Sequence, residues 1–268
     1  MIRIHILHCG GVFTDEATPF YSKSLIPPPF IGFFRNRKKW LPVSVYLIEH
    51  PKGLILVDTG WHTAVRTSPK KHLGFLHYLA GIPELPVGQA ITEQLHHLGY
   101  KPADIDFVIL THLHDDHISG IELLKEAKNF LVSEVEIADT QRYKRNYTHA
   151  LWKNVPLKPF QFIDSEYGPE KKSFDLFGDE SVVLVSTPGH TNGQVSVLIQ
   201  NSGWFVLLCS DTAYAQKSWG NIIIPGITVN QAKAYASLRW VREMSQQPNA
   251  REIIANHDPD VQPHTIEV

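Results

Sequence analysis

Short apolar runs punctuate this chain, and several of them stop at a histidine or an aspartate. Met1 to His8 alternates polar and apolar residues with the period of a half-buried strand. Val43–Glu49 and Leu54–Val57 read as two strands of a hairpin that turns at His50-Pro51-Lys52-Gly53, and the second ends in Asp58-Thr59-Gly60. Ala90, Ile91, Leu95 and Leu98 share a helical face, with Gly99 placed as its C-cap. Phe107 to Leu110 is apolar and β-branched enough for a buried strand. Ile118 to Lys128 then reads as a helix with Ile121, Leu123 and Leu124 inward.

The second half repeats the scheme. Phe130 to Ser133 is a strand and Glu134 to Tyr143 a helix, while Arg142 to Lys153 is aromatic and basic with no clear period. Val182 to Ser186 is a strand that runs into Thr187-Pro188-Gly189-His190. Val195–Ile199 and Trp204–Cys209 form a hairpin around Asn201-Ser202-Gly203, and its second strand stops at Ser210-Asp211. A helix from Gln231 to Met244 precedes a last strand, Ile253 to Ala255, ending at Asn256-His257-Asp258. Two segments break the pattern: Gly10 to Trp40, where Pro27, Pro28 and Pro29 exclude a regular helix, and residues 61 to 87. Both carry aromatic residues and read as loops: a flap over a pocket, a surface for a second subunit, or chain folded back on its own core.

Chemistry concentrates where the strands end. His112, His114, Asp116 and His117 follow the run that ends at Leu110, and imidazole with carboxylate is a ligand set for divalent metals. His112 and His114, two apart in extended chain, point the same way, whereas Asp116 and His117 lie past the bend. That geometry suits two adjacent metals better than one. His190, Asp211 and His257 also sit at strand ends, and ends on one side of a sheet converge. Together these residues supply five histidines and two aspartates, enough for two ions sharing a carboxylate. Asp58, at the end of another buried strand, is placed to hydrogen-bond a metal-ligating histidine.

Composition excludes other classes. The 268 residues carry a net charge of −2 with both signs interspersed, which gives no basic stripe for nucleic acid. A hydrophobic fraction of 43% suits a globular protein, and no linker or short repeat divides it, so a single domain over 1–268 is expected. No apolar stretch reaches the roughly 18 residues of a membrane helix. The N-terminus lacks the core of a secretory signal. Cys9 and Cys209 lie too far apart for a Cys-x-x-Cys pair, so reduced thiols and a cytoplasmic setting are expected.

The ordered set His112, His114, Asp116, His117, His190, Asp211 and His257 resembles the full ligand set of the metallo-β-lactamase superfamily in its dinuclear form. The resemblance runs from Val43 to His257 and implies an α/β fold, a four-layer αββα sandwich with the site at one edge. It implies that His112, His114 and His190 hold one ion, that Asp116, His117 and His257 hold the other, and that Asp211 bridges them. Zinc is the first expectation for the metal, with cobalt, manganese and iron as alternatives. Within the superfamily the chain is most similar to the N-acyl homoserine lactonases, through its N-terminal hairpin and through Asp211-Thr212-Ala213-Tyr214. Those enzymes place a tyrosine three residues after the bridging aspartate. The chain departs from them at Asp115, where a lactonase can carry an aromatic residue, and at Gln194, where some members carry a second histidine.

The resemblance implies a small-molecule lactone or ester as substrate, with Tyr214 donating a hydrogen bond to the developing oxyanion and Asp116 carrying a proton to the leaving alkoxide. A different lactone, a thioester in the manner of glyoxalase II, or a phosphodiester are the hydrolytic alternatives. A diiron redox protein is the alternative of another class, though its usual flavin domain finds little room in this length. The aromatic loops leave an acyl pocket, a homodimer interface, or both, as expectations.

Overall fold

The computed structural model describes residues 1–21 and 38–268, and it arranges them as two β-sheets packed face to face between helices. The first half supplies β1 (Arg3–Asp15), β2 (Lys38–His50) and β3 (Gly53–Val57), then α1 (Pro69–Leu73), α2 (Phe75–Ala80), β4 (Gly81–Glu84) and α3 (Ile91–His97). Next come β5 (Phe107–Ile109), the single turn α4 (Asp115–Ile118), β6 (Phe130–Ser133), α5 (Glu134–Arg142) and β7 (Leu157–Phe160). The second half gives β8 (Ile163–Asp164), β9 (Lys172–Asp175), β10 (Val182–Ser186), β11 (Val195–Asn201) and β12 (Trp204–Leu208). It closes with α6 (Gln216–Asn221), α7 (Gln231–Ser245), β13 (Ala250–Ile254) and β14 (Thr265–Glu267).

Among the described residues one sheet has the order β14-β1-β2-β3-β5-β6-β7, with β4 paired to β1, and the other β13-β12-β11-β10-β9-β8. The layers follow from side-chain alternation. In β10, Val182 and Leu184 face the space between the sheets, whereas Val183 and Val185 face the other way, toward Ala234, Leu238 and Val241 of α7. In β3, Ile55 and Val57 face the other sheet and Leu56 faces the helix layer that holds Ile91 and Leu95 of α3. Strands buried on both faces read as unbroken apolar runs, and each fully buried aliphatic side chain contributes about 1.5–3 kcal/mol. Three apolar layers therefore separate four structural ones, the αββα order expected.

Parallel pairing of β3, β5 and β6, and of β12 with β13, sends their C-terminal ends to one edge. That edge receives Asp58, His112, Asp211 and His257.

Four readings of the sequence change. Of the segment from Gly10 to Trp40, residues 10–15 and 38–40 belong to β1 and β2, with Phe13 opposite Trp40. The register shifts between His8 and Gly11, at Gly10, whose φ of +80° and contact with the Glu84 carbonyl leave no room for a side chain. Pro27, Pro28, Pro29, Phe30, Phe33 and Phe34 lie outside the described residues. Second, residues 61–87 hold α1, α2 and β4 rather than loop alone; helices of five and six residues show too little of a turn-to-turn stripe to be read. Third, in place of a helix over 118–128, α4 begins earlier at Asp115 and passes into a tighter three-residue winding over Ser119–Leu124. Ile118, Ile121 and Leu124, spaced by three, are fully buried, and Leu123 is only partly so. The tight winding lets Gly120 press against the Thr59–Gly60 turn, its amide donating to the Gly60 carbonyl at 2.8 Å. Fourth, the last strand of its sheet starts at Ala250, and β14 follows it.

Candidate metal centre

The segments that follow four strands, β5, β10, β12 and β13, bring the seven sequence-nominated side chains together. His112 and His114 leave β5 in extended chain, and α4 turns Asp116 and His117 back over them. His190 follows β10, Asp211 follows β12, and His257 follows β13. Three groups of three result, each with ligand atoms within 4.8 Å of one another: His112, His114 and His190; Asp116, His117 and His257; and His112, His117 and Asp211 between them. Asp211 faces both triads. Its Oδ1 lies 3.2 Å from Nε2 of both His117 and His257, and its Oδ2 lies 3.5 Å from Nε2 of His190.

The ring nitrogens test whether metal fits. His190 Nδ1 faces the Ile227 carbonyl at 2.7 Å and His257 Nδ1 faces the Pro42 carbonyl at 2.8 Å. A carbonyl only accepts, so both rings carry a proton on Nδ1 and turn Nε2 inward. His117 Nδ1 meets Asp58 Oδ2 at 2.7 Å, and His112 Nδ1 meets Thr111 Oγ1 at 3.2 Å. The inward atoms His112 Nε2, His117 Nε2, His257 Nε2 and Asp211 Oδ1 are buried with no hydrogen-bond partner. Buried polar atoms left unpaired cost stability, and one ring nitrogen on a protein oxygen with the other free is the arrangement of a metal-binding histidine. The donor set therefore fits divalent metal.

Electrostatics divide the rings: against burial, the Asp211 carboxylate raises His117 well above the usual histidine range and His257 with it, so metal binding there would displace protons. Burial, reinforced by the neighbouring imidazoles, holds His112 and His114 well below the usual histidine range, in the neutral form that ligates. For Asp211 burial alone would favour the neutral acid, but His257 and His117 outweigh it and keep the carboxylate charged. Tyr214, 5% exposed, stacks on His257 with ring centres 4.8 Å apart. Burial and the nearby Asp211 and Asp116 carboxylates push its phenol well above the usual tyrosine range, so it stays a donor.

Asp58 acts where its sequence position suggested. It accepts the Thr111 amide at 2.9 Å on Oδ1, and on Oδ2 the Thr111 hydroxyl at 2.9 Å beside His117. Its φ of +62° is a strained backbone that aspartate tolerates better than most residues. Asp58→Asn should lower the metal affinity of the His117 triad by roughly 10- to 100-fold, because an amide cannot present two acceptor oxygens; chelator competition measures it. Ser210 and Thr212, the two neighbours of Asp211, complete this frame. The Ser210 hydroxyl donates to Thr111 Oγ1 at 2.8 Å, and Gln194 donates to the Thr212 hydroxyl at 2.7 Å, so both neighbours of Asp211 are tied down. The only signal for them was a polar residue directly flanking a nominated ligand.

Asp115 points away from this frame. Its Oδ2 pairs with His77 Nδ1 of α2 at 2.7 Å, and His77 Nε2 reaches the Arg145 carbonyl at 3.0 Å.

Known proteins resemble the chain in sequence and in fold. N-acyl homoserine lactonase AttM of Rhizobium radiobacter is 30% identical over 224 residues, 82% of this chain and 83% of that protein. A probable metallo-hydrolase of Mycobacterium tuberculosis is 30% identical over 81% of this chain and 71% of its own. A solved N-acyl homoserine lactone hydrolase with the product N-hexanoyl-L-homoserine at its catalytic metal center superimposes with a TM-score of 0.76 at 22% identity, over 96% of this chain and 94% of that one. The model of the metallo-beta-lactamase superfamily matches residues 39–257, from the start of β2 through His257. The fold, the strand-end site and these matches agree, and the chain belongs to the metallo-beta-lactamase superfamily.

Proposed function

We propose that the chain is a dinuclear metal-dependent hydrolase that opens the lactone ring of N-acyl homoserine lactones. His112, His114 and His190 would hold one ion, Asp116, His117 and His257 the other, and Asp211, which faces both triads, would serve both, with zinc as the first choice of metal. The observation that carries this reading is the placement of the Asp211 oxygens between two triads, with Tyr214 stacked beside them. The lactone substrate is supported by the names of the relatives that share about four fifths of the chain.

When bound, two divalent ions supply Lewis acidity and a water acidic enough to act as nucleophile at neutral pH. The chain's own residues do the rest. Tyr214, held protonated, donates to the oxygen on which charge develops as the lactone carbonyl becomes tetrahedral. Asp116 is 21% exposed where Asp211 is 3%, so it is the carboxylate reachable from the substrate side. It carries a proton to the ring oxygen as the acyl–oxygen bond breaks. Water is consumed, and the new carboxylic acid ionises and releases a proton.

Mass spectrometry of the product tests the reaction type. Ring opening adds one water to the lactone and leaves the amide intact, and the N-acyl homoserine formed closes again in acid. Release of a free fatty acid and homoserine lactone would mean amide cleavage and contradict the proposal. A different lactone, ester or thioester is the second reading, favoured by Asp115, which brings a charged pair with His77 to a position where lactonases can carry an aromatic ring. The buried, unpaired Cys9 and Cys209 support a reducing, cytoplasmic setting, and no helix among the described residues is long and apolar enough to cross a membrane.

A further inference from the structure

Helix α5 lies beside the centre without contributing a nominated ligand, yet one of its faces grips the loop of His190 along its length. Ser133, at its N-cap, donates to the Gly193 carbonyl at 2.7 Å. Asp139 accepts the Asn192 amide at 2.8 Å and its side chain at 2.9 Å. Between them, three residues from each and so on the same helical face, stands Glu136, fully buried. The approach is so close that a side chain on Gly193 would overlap the Glu136 backbone.

Glu136 reaches both histidine loops. Its Oε1 accepts the amide of Leu113, the residue between His112 and His114, at 3.0 Å. Its Oε2 accepts the hydroxyl of Thr191, the residue after His190, at 2.6 Å. Oε1 also accepts the Tyr147 hydroxyl at 3.1 Å, and the Tyr147 ring packs against His114 with centres 5.5 Å apart. One carboxylate thus fixes the chain at all three members of a single triad and touches neither His117 nor His257. Burial pushes the Glu136 carboxyl up to about 7 against the pull of Thr191 and Leu113. A carboxylate sequestered this way destabilises the fold unless its hydrogen bonds are complete, and here three donors complete them.

We infer that Glu136 is a positioning residue that sets the metal affinity of the His112–His114–His190 triad alone, as Asp58 sets that of the His117 triad. The inference rests on the two-ion reading of the centre.

The test is a cobalt(II) titration of the full chain, followed by visible absorption. Thr191→Val removes the hydroxyl with little change of shape, and Glu136→Ala removes the whole clamp. The wild type should take up two ions in two resolvable steps. Thr191→Val should weaken one step by roughly 10- to 100-fold and spare the other, with Glu136→Ala larger in the same sense. Asp58→Asn should weaken the other step, and the Thr191→Val/Asp58→Asn pair should weaken both. Wild-type titration curves for Thr191→Val, or a loss falling on the same step as that of Asp58→Asn, would overturn the inference even if Glu136→Ala fails to fold. A wild-type chain that binds fewer than two cobalt ions would overturn the two-ion reading beneath it.

Discussion

Asp211→Asn should leave a chain that no longer holds two ions together and that turns over lactone two to three decades more slowly. Asp211 is buried, charged and faced by inward nitrogens of His117, His257 and His190. Removing one partner of a buried charged set costs about 3–5 kcal/mol, and each 1.4 kcal/mol is a factor of ten. Asparagine preserves the volume, so the loss comes from charge and lone pairs and not from a cavity. Metal analysis after dialysis, beside kcat, checks it. A variant that keeps two ions and full rate would remove Asp211 from the bridging role.

Tyr214→Phe should behave differently: both ions retained, KM little changed, kcat reduced by roughly 10²- to 10³-fold, the usual worth of one oxyanion donor. The phenyl ring still stacks on His257, so packing is conserved and only the hydroxyl is lost. Circular dichroism and metal content establish that the fold and the centre survive. Full activity with both ions bound would assign Tyr214 to the wall of the site and leave the chemistry to other groups.

Much of the candidate centre was legible because its nominated residues stand where apolar runs stop. A buried strand must end at an edge, and parallel strands end at the same edge, so His112, Asp211 and His257 could be placed together before any contact was known. Asp58 was legible for the same reason. Short-range winding was less so: Ile118, Ile121 and Leu124 fit a helix by composition, but their spacing of three belongs to a tighter turn imposed by the Thr59–Gly60 backbone. Glu136 was not legible at all. Its partners Leu113 and Thr191 lie 23 and 55 residues away in sequence, and an acidic residue in the first turn of a helix looks like one that merely offsets the helix dipole. Gln194 looked like a departure from a histidine pattern, and its contact with Thr212 gives it a structural task of its own.

The most direct measurement is acid release from N-acyl homoserine lactones of short and long chain, followed with a pH indicator on protein of known metal content, before and after chelation. The account predicts release that tracks bound metal, vanishes on chelation and returns with zinc or cobalt. Turnover that persists in metal-free protein, or none from protein carrying two ions, would contradict it.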